Sequence, residues 1–296
     1  MRRDEDGVSD IVFPAHGDPA ADRGFTVEEI DTSRPHPARM YDYYLGGWDN
    51  YEVDREAADR VIRVHPQIRD SARANRAFMQ RAVRDAADSG IEQFLDLGTG
   101  IPTSPNTHEV ARESAPDARV VYADNDPIVA THAGARLTSA PGTGFVLGDV
   151  RDPAKLLADP VVHALIDFDR PVAVLLVAVL HFVRDDEDPA GVVTTLADAL
   201  PAGSRLILSH ATGEPYEAYE QGRTDEAARD DVLNVYKNAT ATLNLRGKAA
   251  VERLFGPFRL QEPGVVRVPL WRPDGPVPTA EEINNTIFYG GVGIKE

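Results

Sequence analysis

From residue 90 onward the apolar positions fall into short, compact runs, separated by polar stretches of helical period. "QFLDLG" (93–98), "ARVVYAD" (118–124), "TGFVLGDV" (143–150), "PVAVLLVAVLHF" (171–182) and "SRLILSHA" (204–211) each read as a strand. The fourth run is almost unbroken, the pattern of a central strand buried on both faces. Residues 104–115, 126–139, 153–159 and 189–200 read as the intervening helices, with Ser104 as N-cap and Pro105 in the first turn of the first. Two more helices are predicted over 223–240 and 246–255, and two closing strands over 258–266 and 285–294. Ahead of this block the pattern is purely helical. "ARMYDYYL" (38–45) and "VDREAADRVIRV" (53–64) are separated by Gly46 and Gly47. A long amphipathic helix over 66–88 carries Ile68, Ala72, Phe78, Ala82 and Ala86 on its apolar stripe and ends at Gly90. Residues 1–33 are acidic and aperiodic. The organisation predicted is a loose tail (1–33), a helical cap (34–90) and an α/β domain (91–296).

Strands alternating with helices predict a doubly wound, mostly parallel sheet, and such sheets bind ligands at the carboxyl ends of their strands. The turn after the first strand, "FLDLGTGIPT" (94–103), is therefore the place to look for chemistry. A P-loop is excluded, because no Gly-Lys-Ser/Thr follows. A dinucleotide fingerprint is half present: Gly98 and Gly100 fit, but Thr103 stands at the third glycine position and Pro102 interrupts the turn. Asp96 argues against a pyrophosphate, since two like charges ~5 Å apart cost about 3 kcal/mol at an effective dielectric of 20. The same carboxylate suits a ligand with positive charges. S-adenosylmethionine carries two, a sulfonium and an ammonium.

Two later acids extend the argument. Asp124 closes the second strand, where a carboxylate can accept both hydroxyls of a ribose. Asp149 follows the third, where it can accept the amino group of an adenine. Each could instead simply cap the next helix, but acids at three successive strand ends are hard to obtain by chance.

The stretches "DLGTG", "VYADND", "GDV" and "VAVLHFV" resemble motifs of the class I S-adenosylmethionine-dependent methyltransferases. "RMYDYYLGGWDNYEVDREAA", "ARANRAFMQRAVR", "FLDLGTGIPTSPNTHE" and "YGGVGIKE" resemble, more narrowly, an actinobacterial S-adenosyl methyltransferase family formerly described as a domain of unknown function. The resemblance spans roughly residues 34–296. It implies a Rossmann-like, seven-stranded sheet with the last strand antiparallel, helices on both faces and an N-terminal helical cap. It implies S-adenosyl-L-methionine as cofactor, bound by Asp96, Gly98, Gly100, Asp124 and Asp149, with Thr99, Asn125, Val150 and Ala178 in the same site. It names no methyl acceptor.

"YDYYLGGWDNY" (41–51) holds five of the chain's 21 aromatic residues. We expect it to fold over the cofactor as a lid hinged at Gly46. Tyr41 or Tyr44 would contact adenine or the sulfonium by cation–π attraction, with Arg39 and Asn50 bonding the methionine carboxylate or the lid backbone. The alternative is that these aromatics form the cap's own small core. His181, after the fourth strand, stands where several small-molecule O-methyltransferases carry a general base. The other histidines show no metal-ligand spacing, and no metal is expected.

Composition narrows the partners. The net charge is −17, which disfavours a nucleic-acid substrate. Residues 60–84 carry seven arginines against one acid, Asp70, and read as a solvated helix face rather than a polyanion site. There is no cysteine, hence no disulfide or thiolate chemistry. No apolar run reaches the ~20 residues of a membrane span, and the N-terminus has no apolar signal segment. The expectation is a cytoplasmic enzyme transferring a methyl group to oxygen or nitrogen of a small molecule. Its rivals are a non-catalytic S-adenosylmethionine sensor and a nicotinamide oxidoreductase, the latter disfavoured by Asp96.

Overall fold

A computed structural model describes residues 32–214 and 226–296. Nearly all of the expected tail, and the start of the expected 223–240 helix, lie outside the described residues. Five parallel strands form the sheet: β1 (Gln93–Leu97), β2 (Arg119–Asp124), β3 (Thr143–Leu147), β4 (Ala173–Val177) and β5 (Arg205–Ala211). Three further strands follow: β6 (Phe258–Leu260), the two-residue β7 (Val266–Arg267) and β8 (Phe288–Lys295). The order is β3-β2-β1-β4-β5-β8-β6, with β7 also on β8. β8 runs antiparallel to β5, β6 and β7. This is the seven-stranded sheet expected, with β7 as an extra two-residue pairing.

Alternation along each strand feeds two cores. Phe94, Val120, Tyr122, Leu175 and Ile207 point to one face, under α1 (Pro37–Leu45), α2 (Glu52–Val64), α3 (Ile68–Asp88) and α4 (Thr107–Ala111). Their neighbours Leu95, Val121, Val174, Leu176 and Leu206 point to the other. Between β2 and β5 the chain forms α5 (Pro127–Arg136), α6 (Pro153–Leu157), α7 (Pro160–Leu165) and α8 (Pro189–Asp198). The remaining helices are α9 (Glu226–Lys237), α10 (Lys248–Leu254) and α11 (Ala280–Asn284). The cap helices share one continuous hydrophobic cluster with the first sheet face, so they are part of the wall of this domain.

Several local expectations change: the strand expected over 258–266 is split into β6 and β7, and α7 and α11 are additional. The helix after β1 begins at Thr107, and its N-cap is Asn106, whose backbone N–H donates to Glu109; Ser104 lies upstream, with its hydroxyl on the same Glu109. The fourth apolar run is not one strand. β4 stops at Val177, Ala178 turns left-handed at φ 59°, and Leu180–Phe182 is a 3-10 turn. Ala178 N–H donates to the Ser209 hydroxyl at 2.9 Å, which holds that turn against β5.

Of the seven arginines of 60–84, Arg60, Arg63 and Arg73 are exposed, as a solvated face would have them, and three others act as staples. Arg76 donates to the carbonyls of Thr103 and Pro105, Arg81 to those of Val268 and Trp271, and Arg84 pairs with Glu113. They fasten α3 to the loops around it.

Candidate functional site

An open cavity of about 950 Å³ runs along the carboxyl ends of the parallel strands, beneath α1 and α2. Sheet order gives it an axis. From β3 to β8 is five steps, about 24 Å at ~4.8 Å per strand. The loops after β1, β2 and β3 line one half. Residues following β4 and β5 and preceding β8 line the other.

The first half is built around the glycine turn. Gly98 and Gly100 both have positive φ, 75° and 66°. Gly98 N–H and Thr99 N–H both donate to Ala123 O, tying the turn to β2. Asp96 shares the face of Phe94 and is buried under the turn. Its Oδ2 accepts the Thr107 hydroxyl at 2.5 Å, and Thr99 adds a side-chain hydrogen bond. Burial pushes its carboxyl up, against the hydrogen bond from Thr107 and the nearby Arg76. Asp124 sits at the end of β2. Its two oxygens accept the backbone N–H groups of Gly100 (2.8 Å) and Asp126 (3.0 Å). Burial nevertheless pushes it up to about 6. Asp149 behaves oppositely. Burial raises it, but hydrogen bonds from Arg151 and Asn125 outweigh that and hold it below the usual range. Arg151 spans Asp149 and Glu187, closing this end with a charged clasp.

Of the residues expected from sequence, Asp96, Gly98, Thr99, Gly100, Asp124, Asn125, Asp149, Val150, Ala178, Arg39, Tyr41, Tyr44 and His181 all line the cavity. Gly46 and Asn50 do not. Gly46 is the left-handed C-cap of α1, at φ 85°, and Asn50 donates its amide to Asp42 and to Gly47 O. The aromatic segment is therefore split. Tyr44 is buried, with its hydroxyl 3.4 Å from that of Tyr236. Tyr41 donates to Ala72 O and accepts from Asn75. Trp48 stands 93% exposed. The inner face of α1 is a wall of the cavity, while the loop that follows leads away from it. Arg39 is buried beside Asp54 and Asp126, at 3.5 and 3.8 Å, and donates to Arg34 O. It braces the cap above the β2 loop.

His181 lines the cavity just after β4. Its ring is buried, and Nδ1 accepts the backbone N–H of Ala211 at 3.3 Å. A backbone N–H can only donate, so Nδ1 holds no proton and, in the neutral ring, Nε2 does. Burial, with His210 and Arg246 nearby, drives its pKa well below the ordinary histidine value. The ring's one lone pair is thus engaged by Ala211 N–H.

Sequence reasoning missed Arg246. This buried guanidinium donates to Leu180 O, Val183 O, His210 Nε2 and Asp185. It locks the 3-10 turn that carries His181. No spacing flags it, because its partners lie 36 to 66 residues earlier in the chain. His36 was missed too; its Nδ1 lies 3.1 Å from Asp126, joining the cap to the cofactor loops. Among the described residues no cluster could hold a metal ion and no helix is long and apolar enough to cross a membrane.

A mixed sheet of this order, with acids and a glycine turn at its carboxyl edge, defines a class I methyltransferase. The chain belongs to the S-adenosyl methyltransferase family, whose sequence profile matches residues 24–296. It is 41% identical to a Thermobifida fusca YX protein described as a candidate methyltransferase, at TM-score 0.80, covering 90% of this chain and 97% of that one. It is likewise 41% identical to a DUF574-family protein of Streptomyces avermitilis, at TM-score 0.83, covering 90% and 100%. A search of curated proteins gives no match. The cofactor of the family is S-adenosylmethionine, and the residues present fit it. Backbone with positive φ lies where a ligand must approach closely, and the buried acids beside it suit hydroxyls and positive charge.

Proposed function

We propose that the protein transfers a methyl group from S-adenosylmethionine to oxygen or nitrogen of a small-molecule acceptor. The observation that carries this reading is the reach of the cavity. At about 950 Å³ it is at the upper end of the 300–1,000 Å³ usual for one small-molecule site, and only its β1–β3 half bears the cofactor-type acids. The other half is lined by Val61, Ile68, Phe182, Leu243, Ile287 and Phe288, walls suited to an apolar acceptor. Roofing by α1 and α2 favours a compact acceptor over a polymer.

Bound S-adenosylmethionine supplies an electrophilic methyl group on a sulfonium. The chain's own contribution is placement, and orientation alone can be worth ~7–11 kcal/mol of barrier. Asp96 would attract the ammonium, the Gly98 turn would admit the ligand's backbone-side edge, and Asp124 would take the ribose hydroxyls. Asn125, Asp149 and Val150 would hold the adenine. Tyr41 and Tyr44 would bring aromatic faces to a cationic centre.

Calorimetric titration with S-adenosylmethionine tests this, with NADH in parallel. Binding of the former alone is expected, and it should depend on pH through Asp124. The ionised carboxylate is the acceptor, and its pKa is about 6 before the ligand arrives. Affinity should be flat from pH 8 to roughly 6.5, then fall toward tenfold per unit as protons compete. Asp124→Ala should weaken binding and remove the Asp124 part of the fall, leaving only what the raised Asp96 carboxyl contributes. Tight binding that ignores pH down to 5 would remove Asp124 from the site. NADH binding in place of S-adenosylmethionine would remove the methyltransferase reading.

A further inference from the structure

His181 and His210 lie with ring centroids 5.5 Å apart, and both meet the peptide group of Ala211. Their roles are opposite. His181 Nδ1 accepts Ala211 N–H; His210 Nδ1 lies 2.7 Å from Ala211 O, which can only accept, so His210 Nδ1 carries a proton. His210 Nε2 is then the acceptor for Arg246 Nη1 at 2.8 Å. Arg246 is anchored in turn by Asp185, Leu180 O and Val183 O. The Ala211 N–H leaves the neutral His181 with its proton on Nε2, and the His210–Arg246 contacts hold the backbone beside it. The ring lines the acceptor half of the cavity, between the rings of Phe182 (4.3 Å) and Phe288 (6.0 Å), and Nε2 has no hydrogen-bond partner among the described residues.

We infer that His181 Nε2–H is a hydrogen-bond donor to the methyl acceptor, and that the site selects an acceptor already ionised at oxygen, a carboxylate or an acidic phenol. The inference rests on the methyltransferase reading and adds the acceptor class to it. The charged and titratable neighbours agree with an oxyanion. His210 is neutral and Arg246 is positive, and the balancing Asp185 lies largely in solvent. The tyrosines across this half, Tyr44 and Tyr236, are pushed up by burial and stay protonated. Glu214, after β5, already accepts Lys248 N–H and the Tyr289 hydroxyl. The transfer then balances without a base. A lone pair of the acceptor oxyanion forms the O–CH3 bond. The S–CH3 bond breaks and its electron pair stays on sulfur. The sulfonium and the oxyanion become a neutral thioether and a neutral methyl ether or ester, and no proton moves.

Two measurements test this. In long-range proton–nitrogen spectra of histidine-labelled protein, His181 should show a protonated Nε2 and a bare Nδ1 from pH 5.5 to 8, and His210 the reverse. A His181 that titrates in this range, or carries its proton on Nδ1, overturns the inference whatever the cofactor. The second measurement uses 4-nitrophenol as probe, added to the S-adenosylhomocysteine-saturated protein. It should bind as the yellow phenolate at a pH below its solution midpoint. His181→Phe should weaken phenolate binding at least tenfold, and His181→Gln, which keeps an N–H at the same place, should restore most of it. Neither should alter S-adenosylhomocysteine affinity. No phenolate binding, binding as the neutral phenol, or no effect of His181→Phe each overturns the oxyanion site. Failure to bind S-adenosylhomocysteine at all would instead strike at the methyltransferase reading.

Discussion

Replacing Gly98 by alanine will disable cofactor binding more than any other single methyl group added to this protein. Gly98 sits at φ 75°, a region that costs an L-residue ~1–2 kcal/mol. A Cβ there would also lie 2.4 Å from Val179 Cγ2 and 2.9 Å from Cγ1. Val179 is β-branched, so its side chain turns aside only with difficulty, and it follows the left-handed Ala178 in a turn tied to β5. Overpacking of this kind costs ~1–3 kcal/mol. The combined cost, roughly 2–5 kcal/mol, should lower the melting temperature by about 4–20 °C at ~2–4 °C per kcal/mol. The turn can relieve the clash only by moving, which shifts the backbone between Asp96 and Gly100. Affinity for S-adenosylmethionine should fall at least ~tenfold, since ~1.4 kcal/mol suffices for that. Gly46→Ala is the control. Its φ is 85°, but a Cβ meets nothing within 4 Å and the residue is off the cavity. It should lose a little stability and keep full affinity. Paired melting and calorimetric curves decide the matter: unchanged affinity in Gly98→Ala would place the cofactor elsewhere, and lost affinity in Gly46→Ala would revive a lid hinged at that glycine.

Arg246→Leu should be the most destabilising change outside the cofactor half. It strands Val183 O and the acceptor nitrogen of His210, while Leu180 O keeps only the Val183 N–H. Each buried acceptor left without a partner costs ~1–3 kcal/mol, so a loss of roughly 2–6 kcal/mol is expected. Asp185 contributes little to this, being exposed. Arg246→Lys should recover little, because one ammonium cannot reproduce a planar fork that serves carbonyls and a ring nitrogen at once. Denaturant melts of the three proteins test this. Full recovery by lysine would mean that the charge matters and the fork does not. Because the same guanidinium fixes His210, Arg246→Leu should also unlock the histidine tautomers.

Most of the first half of the site was legible before any coordinates. The acids and glycines of 96–100, 124 and 149 lie at strand ends, and strand ends can be read from period-2 runs bounded by turn residues. The charge argument needed only Asp96 and its distance along the chain from the turn. The acceptor half was not legible. The run 171–182 reads as one strand because alanine and valine carry no sign of a left-handed turn. Only the Ser209 hydroxyl, brought alongside by β5, shows why the strand stops at Val177. His181 was legible as a position but not as a proton state. Its sequence context matches a base, whereas its tautomer is set by Ala211, thirty residues later. The aromatic segment misled for a similar reason: composition counts Trp48 with Tyr44, and only the end of α1 at Gly46 separates an exposed ring from a buried one.

By itself, then, the sequence determined the alternation of strands and helices, the sheet edge along which the cavity lies and the acids that line its first half. These follow from local periodicity and from residue types a few positions apart. The tertiary structure decided which ring nitrogen of His181 carries a proton, what anchors the turn that holds it and how far the cavity extends past the cofactor acids. Those depend on contacts such as Arg246 to Leu180 and Tyr44 to Tyr236. A hydrogen bond between such distant residues leaves no periodic trace in the chain, because its geometry exists only once both cores have formed.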